Sequence, residues 1–537
     1  MNISIVKALI VLALLASSGS HAQNDSPCNQ NRVDLPQVEP RHPDLICLPE
    51  LGRRAGPIRQ CQLDNERYGK AVAALGRLTN DSLPSWIIEH QRCDTVAANG
   101  LLPEELLLYH GVAGGLPASE NGERIGPSEI ASVTKFLAAG DWDHDGYKDL
   151  AVRIQIYGDT SFGALGYDVS RLVIFWGNAM GRFSIDDTTQ LSNGAQMWGG
   201  PTTGGSTDFD GDGNDDLLVA GAAKGLRDGT FINVPQLYIF RGRNGQRWRE
   251  PGHAHTAEWV MWNRPPLINL AVLDQDHDGV MDIILYANSL GSGTGYLSVL
   301  YGRPGSLPDT NAIEKVDLIT SFGLYALFSD VTGDGVPELL IHSREQIKVY
   351  IGLKGQRLIQ QYGPGEEPEH PGDQQWWGHP WARIDMPHRL NPNWAYADPP
   401  VLYDLGDANL DGINDIWTEA EPLLLCYTTG DGLDSLLDAV INVRPGLGIY
   451  DAARLGRIVG GDTDVIGIGL SNGMIYARGS TEVPGRPRYR KLPPGTGKPV
   501  TEVRESPLVH GLPYLSRMES SPIKTIVTHH IQGGQGE

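Results

Sequence analysis

Asp141-Trp142-Asp143-His144-Asp145-Gly146-Tyr147-Lys148-Asp149 decides how this chain is read, because the same nine-residue pattern returns four more times. The later copies are Asp208-Phe209-Asp210-Gly211-Asp212-Gly213-Asn214-Asp215-Asp216, Asp274-Gln275-Asp276-His277-Asp278-Gly279-Val280-Met281-Asp282, Asp330-Val331-Thr332-Gly333-Asp334-Gly335-Val336-Pro337-Glu338 and Asp407-Ala408-Asn409-Leu410-Asp411-Gly412-Ile413-Asn414-Asp415. Successive copies start 67, 66, 56 and 77 residues apart, a regularity that marks a repeat architecture. Each is followed at once by an apolar, β-prone run, such as Leu150-Ala151-Val152 or Leu217-Leu218-Val219, and most are preceded by another, such as Phe136-Leu137-Ala138-Ala139. The acidic loop therefore joins two strands.

A second signature lies downstream, an apolar strand that ends on glycine: Leu172 to Gly177, Leu237 to Gly242, Leu297 to Gly302 and Ile347 to Gly352. An orphan copy, Leu106 to Gly111, precedes the first acidic loop, and degenerate ones at Gly448-Ile449-Tyr450 and Gly473 to Tyr476 follow the fifth. Each unit thus supplies about four short strands, a sheet too small to bury both faces alone, and sheets at this period stack radially as propeller blades. The expected fold is an all-β propeller of seven four-stranded blades. Six or eight also fit the count, and strands from both chain ends sharing a blade would account for the partial copies.

The loop chemistry points to calcium. Acids at positions one, three and five of a tight loop converge on one point, and glycine at position six permits the turn that brings the position-seven carbonyl inward. The expected ligands are Asp141, Asp143, Asp145, Asp149 and the carbonyl of Tyr147 in the first loop. In the second they are Asp208, Asp210, Asp212, Asp216 and Asn214, and in the third Asp274, Asp276, Asp278, Asp282 and Val280. The fourth offers Asp330, Thr332, Asp334, Glu338 and Val336, and the fifth Asp407, Asn409, Asp411, Asp415 and Ile413. Thr332, Glu338 and Pro337 make the fourth loop the weakest copy by sequence. An EF-hand needs an acid at position twelve and flanking helices; position twelve here is Val152, Val219, Leu285, Ile341 and Thr418, within expected strands. The loops carry 19 of the 65 acidic residues, and five bound Ca²⁺ would bring the net charge from −22 to about −12.

These loops and their flanking strands resemble the FG-GAP (integrin-α N-terminal, VCBS-type) repeats of seven-bladed propellers, over roughly residues 95–480. The resemblance implies up to five structural Ca²⁺ ions at the residues named. It leaves the ligand open, since that family spans adhesion, glycan handling, assembly subunits and some enzymes.

Outside the repeat, residues 1–22 read as a cleavable signal peptide: a basic start, an apolar run from Ala8 to Ala16 and small residues at Ser20 and Ala22. That run is too short to span a bilayer, which takes about 20 apolar residues, so the expected location is secreted or periplasmic, with no transmembrane segment. The net charge excludes nucleic acid, whose phosphates demand a basic footprint. Residues 23–94 form a segment with cysteines, either a cap or part of the closing blade. Cys28, Cys47, Cys61 and Cys93 allow two disulfides in three connectivities, and Cys426 is left as a buried strand thiol. Residues 481–537 turn Pro-, Arg- and Gly-rich and read as partly disordered.

The insertion at 359–400 carries Trp376, Trp377, Trp381 and Trp394 among histidines and amides. Such rings suit either a sugar-stacking platform or packing of the insertion onto the propeller. No nucleophile elbow, HExxH helix or phosphate loop is present, so no catalytic residue is assigned. The expected function is a calcium-stabilised binding, adhesion or scaffold module for a glycan or protein partner. The alternative is a propeller-based polysaccharide lyase or glycoside hydrolase, whose paired acids would be invisible among so many.

Overall fold

A computed structural model describes most of residues 41–480. Outside the description lie both ends and the stretches 56–66, 80–82, 92–103, 118–121, 127–131, 157–168, 192–200, 249–258, 262–266, 289–293, 320–324, 358–381, 386–400, 428–436 and 443–448, with positions 49, 228–229, 311, 343–345, 421–422, 462 and 471–472. The signal peptide, Cys28, Cys61, Cys93, the side chain of Cys47, the four insertion tryptophans and the tail therefore lie outside the described residues.

Among the described residues the chain is all-β, built of several small antiparallel sheets of the kind that form propeller blades. Two strands come first, β1 (Arg41–Cys47) and β2 (Glu50–Ala55). Then follow β3 (Arg67–Gly76), β4 (Ser85–Gln91), β5 (Glu104–His110) and β6 (Glu123–Ile125) as a first meander. The second meander is β7 (Ser132–Gly140), β8 (Asp149–Ile156), β9 (Val169–Phe175) and β10 (Thr188–Leu191); the third is β11 (Pro201–Thr207), β12 (Asp216–Arg227), β13 (Thr230–Phe240) and β14 (Trp259–Met261). The fourth comprises β15 (Leu267–Leu273), β16 (Asp282–Asn288), β17 (Thr294–Leu300) and β18 (Ile313–Ile319), and the fifth β19 (Tyr325–Ser329), β20 (Glu338–His342), β21 (Gln346–Tyr350) and β22 (Ala382–Asp385). The sixth is β23 (Leu402–Tyr403), β24 (Ile416–Ala420), β25 (Leu423–Tyr427) and β26 (Leu437–Asn442). Last come β27 (Ile449–Gly456), β28 (Val465–Leu470) and β29 (Gly473–Arg478). Among the described residues, the first two meanders share one eight-stranded sheet only through a single parallel pairing, Glu104 with Val133. Part of the expected insertion is thus regular structure, since β22 closes the fifth sheet against β21.

Both faces of most strands are buried, which is why the sequence shows continuous apolar runs rather than clean alternation. Period-two geometry then divides each strand between two cores. On β4, Ile87 joins Leu106 and Leu108 towards the second meander, while Trp86 and Ile88 face Leu455, Met474 and Tyr476 of the last one. On β8, Leu150 and Val152 face the first meander, and Ala151 faces Leu217, Val219 and Tyr238 of the third.

The first and last described strands meet. β2 pairs antiparallel with β29, giving the last sheet its fourth strand, and β1 adds in parallel to β26. The first meander packs on the last, and Val72 N–H donates to Asp451 Oδ2 at 2.8 Å. Cys426 is a buried free thiol on β25. No helix among the described residues is long and apolar enough to cross a membrane.

Candidate metal centres

Each acidic loop joins the first strand of a meander to the second, so all five stand in the same place in their sheets. In the first, Asp141 accepts the N–H groups of Asp145 and Gly146, both at 2.9 Å, and Asp145 accepts that of Tyr147 at 2.9 Å. Asp274 and Asp278 repeat this in the third loop, and Asp407 and Asp411 in the fifth. Asp208 and Asp212 serve the second loop and Asp330 and Asp334 the fourth, with one further N–H to position one. The turn requires a left-handed residue at position four as well as position six. Glycine fills position four in the second and fourth loops, whereas His144, His277 and Leu410 hold φ of 55°, 55° and 61° there.

Position nine does a different job. Asp149 accepts Trp142 N–H at 3.0 Å on one oxygen and Gly177 N–H at 2.8 Å on the other. Asp216 joins Phe209 to Gly242 in the same way, and Asp282 joins Gln275 to Gly302. The downstream glycine signature thereby acquires its cause: a Cβ on Gly177, Gly242, Gly302 or Gly352 would lie 2.0–2.5 Å from the position-eight carbonyl oxygen. Only glycine lets the third strand close on the loop.

Four groups of carboxylates come together with ligand atoms within 4.8 Å of one another: Asp141, Asp143 and Asp149; Asp208, Asp210 and Asp216; Asp274, Asp276 and Asp282; and Asp330, Asp334 and Glu338. These are triads, largely buried, that could hold metal ions such as Ca²⁺. The first three gather positions one, three and nine, and leave the position-five acids Asp145, Asp212 and Asp278 outside. The fourth replaces position three with position five, because Thr332 carries no carboxylate and instead donates its hydroxyl to Glu338 Oε1 at 3.1 Å. In the fifth loop Asn409 takes position three and donates its amide N–H to Asp411 Oδ2, and Asp407, Asp411 and Asp415 do not make a fifth group among the described residues. Position-seven residues Tyr147, Asn214, Val280, Val336 and Ile413 all donate their N–H to the position-five acid.

The donor set fits a hard cation, being entirely oxygen. Asp143 and Asp276 are only 4% and 7% exposed, and Oδ1 of each is buried without a hydrogen-bond partner. A buried carboxylate oxygen left so is costly unless a cation supplies the missing contact.

Residues 208–285 match the family described as FG-GAP-like repeat. That span runs from the second loop, through its meander, into β16 beyond the third. No curated protein matches. Among solved structures, one titled "Crystal structure of BBS1N in complex with ARL6DN, soaked with lead" aligns over 82% of this chain and 99% of that one, at 11% identity and a TM-score of 0.38.

Charge balance in the acidic loops also involves residues that the sequence pattern does not flag. Arg247 Nε lies 2.8 Å from Asp143 Oδ2, Arg241 Nη2 2.7 Å from Asp210 Oδ2, and Arg357 Nε 3.8 Å from Asp276 Oδ2. Arg247 is 104 residues from its partner, so no local motif could have revealed it.

In the metal-free chain, burial pushes Asp216 and Asp282 up to about 8, against the pull of their backbone donors. It likewise lifts Asp149 and Glu338 well above the usual carboxylate range. Below that pH a cation must displace a proton, so calcium affinity should rise from pH 5.5 to 8 and level off above. The sign for stability is opposite without metal. The raised groups favour the fold fully below the ordinary aspartate value of about 4 and lose that contribution as pH rises through about 8. Melting temperature in chelator should therefore fall between pH 6 and 8 while the calcium-loaded value does not. Parallel pH profiles with and without calcium would contradict this.

Proposed function

We propose that the chain is an exported, seven-bladed β-propeller that holds calcium in its inter-strand loops and works by binding a partner. The single observation that carries the calcium reading is the recurrence of a buried acid triad at one structural position in four successive meanders. The blade count is supported by the pairing of β2 with β29 and by the packing of the first meander on the last, the pattern expected when a ring closes by shared strands. The fifth loop, with Asp407, Asn409, Asp411, Asp415 and the Ile413 carbonyl, is proposed as a further site in which the Asn409 amide oxygen stands in for a carboxylate.

A binding role is favoured because the position-nine acids are committed to holding strands together, each of the first three by two backbone donors. The partner proposed is a glycan or a protein, met in part by Trp376, Trp377, Trp381 and Trp394. Export is proposed on residues 1–22 alone.

A glycan array probed with the purified full chain, in calcium and then in chelator, tests the reading. Binding is expected in calcium only, and Trp377→Ala should abolish it with an unchanged melting temperature. Loss of stability by about 3–5 kcal/mol in that variant would mean that the ring packs rather than recognises. Cleavage of an arrayed polysaccharide, seen as released unsaturated or reducing ends, would replace the binding role with an enzymatic one.

A further inference from the structure

The arginines on position three recur with a pattern. Gly245, Gly305 and Gly355 stand in the turn after the third strand of their meanders, and each donates its N–H to the position-three carbonyl of the preceding meander's loop: Asp143 at 2.7 Å, Asp210 at 2.8 Å and Asp276 at 2.6 Å. Two residues beyond the first and last of these glycines come Arg247 and Arg357. Both lie over an aromatic ring of the preceding meander, Arg247 at 5.3 Å from Trp176 and Arg357 at 4.2 Å from Tyr301. Trp176 and Tyr301 occupy the same place, immediately before the glycine that closes the third strand.

At the second loop the two positions exchange roles. The aromatic position is Arg241, which reaches Asp210 itself, and the residue two beyond Gly305 is Leu307. Two different routes therefore set a guanidinium on the position-three carboxylate. In the fourth and fifth loops position three is Thr332 and Asn409, with no carboxylate to pair.

We infer that these arginines set the affinity of the first three loops for their cation, and that at the first and third loops cation loading works against the clasp from the next meander. The inference rests on the calcium reading above. A guanidinium about one ligand's length from the cation repels it, and the same group balances the acids when no metal is present. Arg247 has somewhere to go: its Nη1 also lies 3.0 Å from both oxygens of the exposed Asp187, so loading can shift it along without breaking the contact between meanders. The loops then form two classes, three guarded by arginine and two not, and the first and third, whose arginine comes from the next meander, report on the interface beside them.

Calcium titration of the full chain by calorimetry, for wild type, Arg247→Gln and Arg247→Lys, tests this. Gln should tighten one site by about tenfold, the order expected for removing one partly screened charge. Lys should leave affinity near wild type, because it keeps the charge. Both should melt below wild type in chelator, since both lose the fork that spans Asp143 and Asp187. Affinity that is unchanged or weaker in Arg247→Gln, or equally tightened in Arg247→Lys, would overturn the arginine's role while leaving calcium in place. Absence of calcium binding in wild type and variants alike would instead remove the calcium reading and this inference with it. Should Arg247→Gln fail to fold, Arg357→Gln carries the same test at the third loop, where the contact is longer and more exposed.

Discussion

Removing divalent cations is expected to lower the melting temperature on the order of 10 °C. A ligand that binds only the folded state at a hundred times its dissociation constant adds about 2.7 kcal/mol per site, hence about 11 kcal/mol summed over four triads. Unfolding entropy near 2.1 cal/mol/K per residue, over the roughly 440 residues of the described span, converts this to a shift of about 12 °C. Scanning fluorimetry in calcium and in chelator measures it directly, with elemental analysis of protein purified in calcium to give the stoichiometry. Identical melting curves together with no bound calcium would sink the assignment of all four triads. The effect should be cooperative along the chain, because the loops are also contact points between meanders. Asp215 Oδ2 of the second loop, for example, accepts the N–H of Asp141 in the first at 3.1 Å.

Much of the fold was legible in sequence because the repeat supplied its own controls. Five copies fixed where first strands end and second strands begin, and position twelve falls inside β8, β12, β16, β20 and β24 as the EF-hand exclusion requires. The orphan run Leu106 to Gly111 carries β5, and the Gly473 run is β29. By contrast, β3 and β4 went unmarked because the loop between them, residues 77–84, carries one acid where each of the five repeat loops carries three or more. The pairing of β2 with β29 joins positions more than 400 residues apart, and local patterning says nothing about such contacts.

The site was legible as a loop and not as a set of ligands. Sequence gives positions one, three, five and nine equal standing, yet Asp145, Asp212 and Asp278 are exposed side chains engaged with the position-seven N–H, outside their triads. The fourth loop, weakest by sequence, still gathers three acids because Asp334 joins where Thr332 cannot. Arginines 241, 247 and 357 come from the far side of the meander or from the next one, where side-chain reach, not spacing, makes the contact.

The second large effect follows from position nine. Asp216→Ala should destabilise the chain by about 2–6 kcal/mol even in chelator, since it leaves the buried N–H groups of Phe209 and Gly242 without an acceptor at about 1–3 kcal/mol each. In calcium the loss grows by the contribution of the second site, about 2.7 kcal/mol under the same saturation. Asp216→Asn keeps one acceptor oxygen and the side-chain volume, so in chelator it should lose about half as much, while in calcium it still forfeits a ligand charge. Asp212→Ala is the control from the same loop. Its carboxylate is exposed and accepts only the exposed backbone and side-chain N–H groups of Asn214, which water can satisfy instead, so a change of less than about 1 kcal/mol is expected in chelator. Chemical denaturation of the three variants, with and without calcium, separates the strand-holding role of position nine from metal binding. If Asp212→Ala costs as much as Asp216→Ala in chelator, position nine does not lock the third strand to the loop, and the glycine at its end has lost its explanation too.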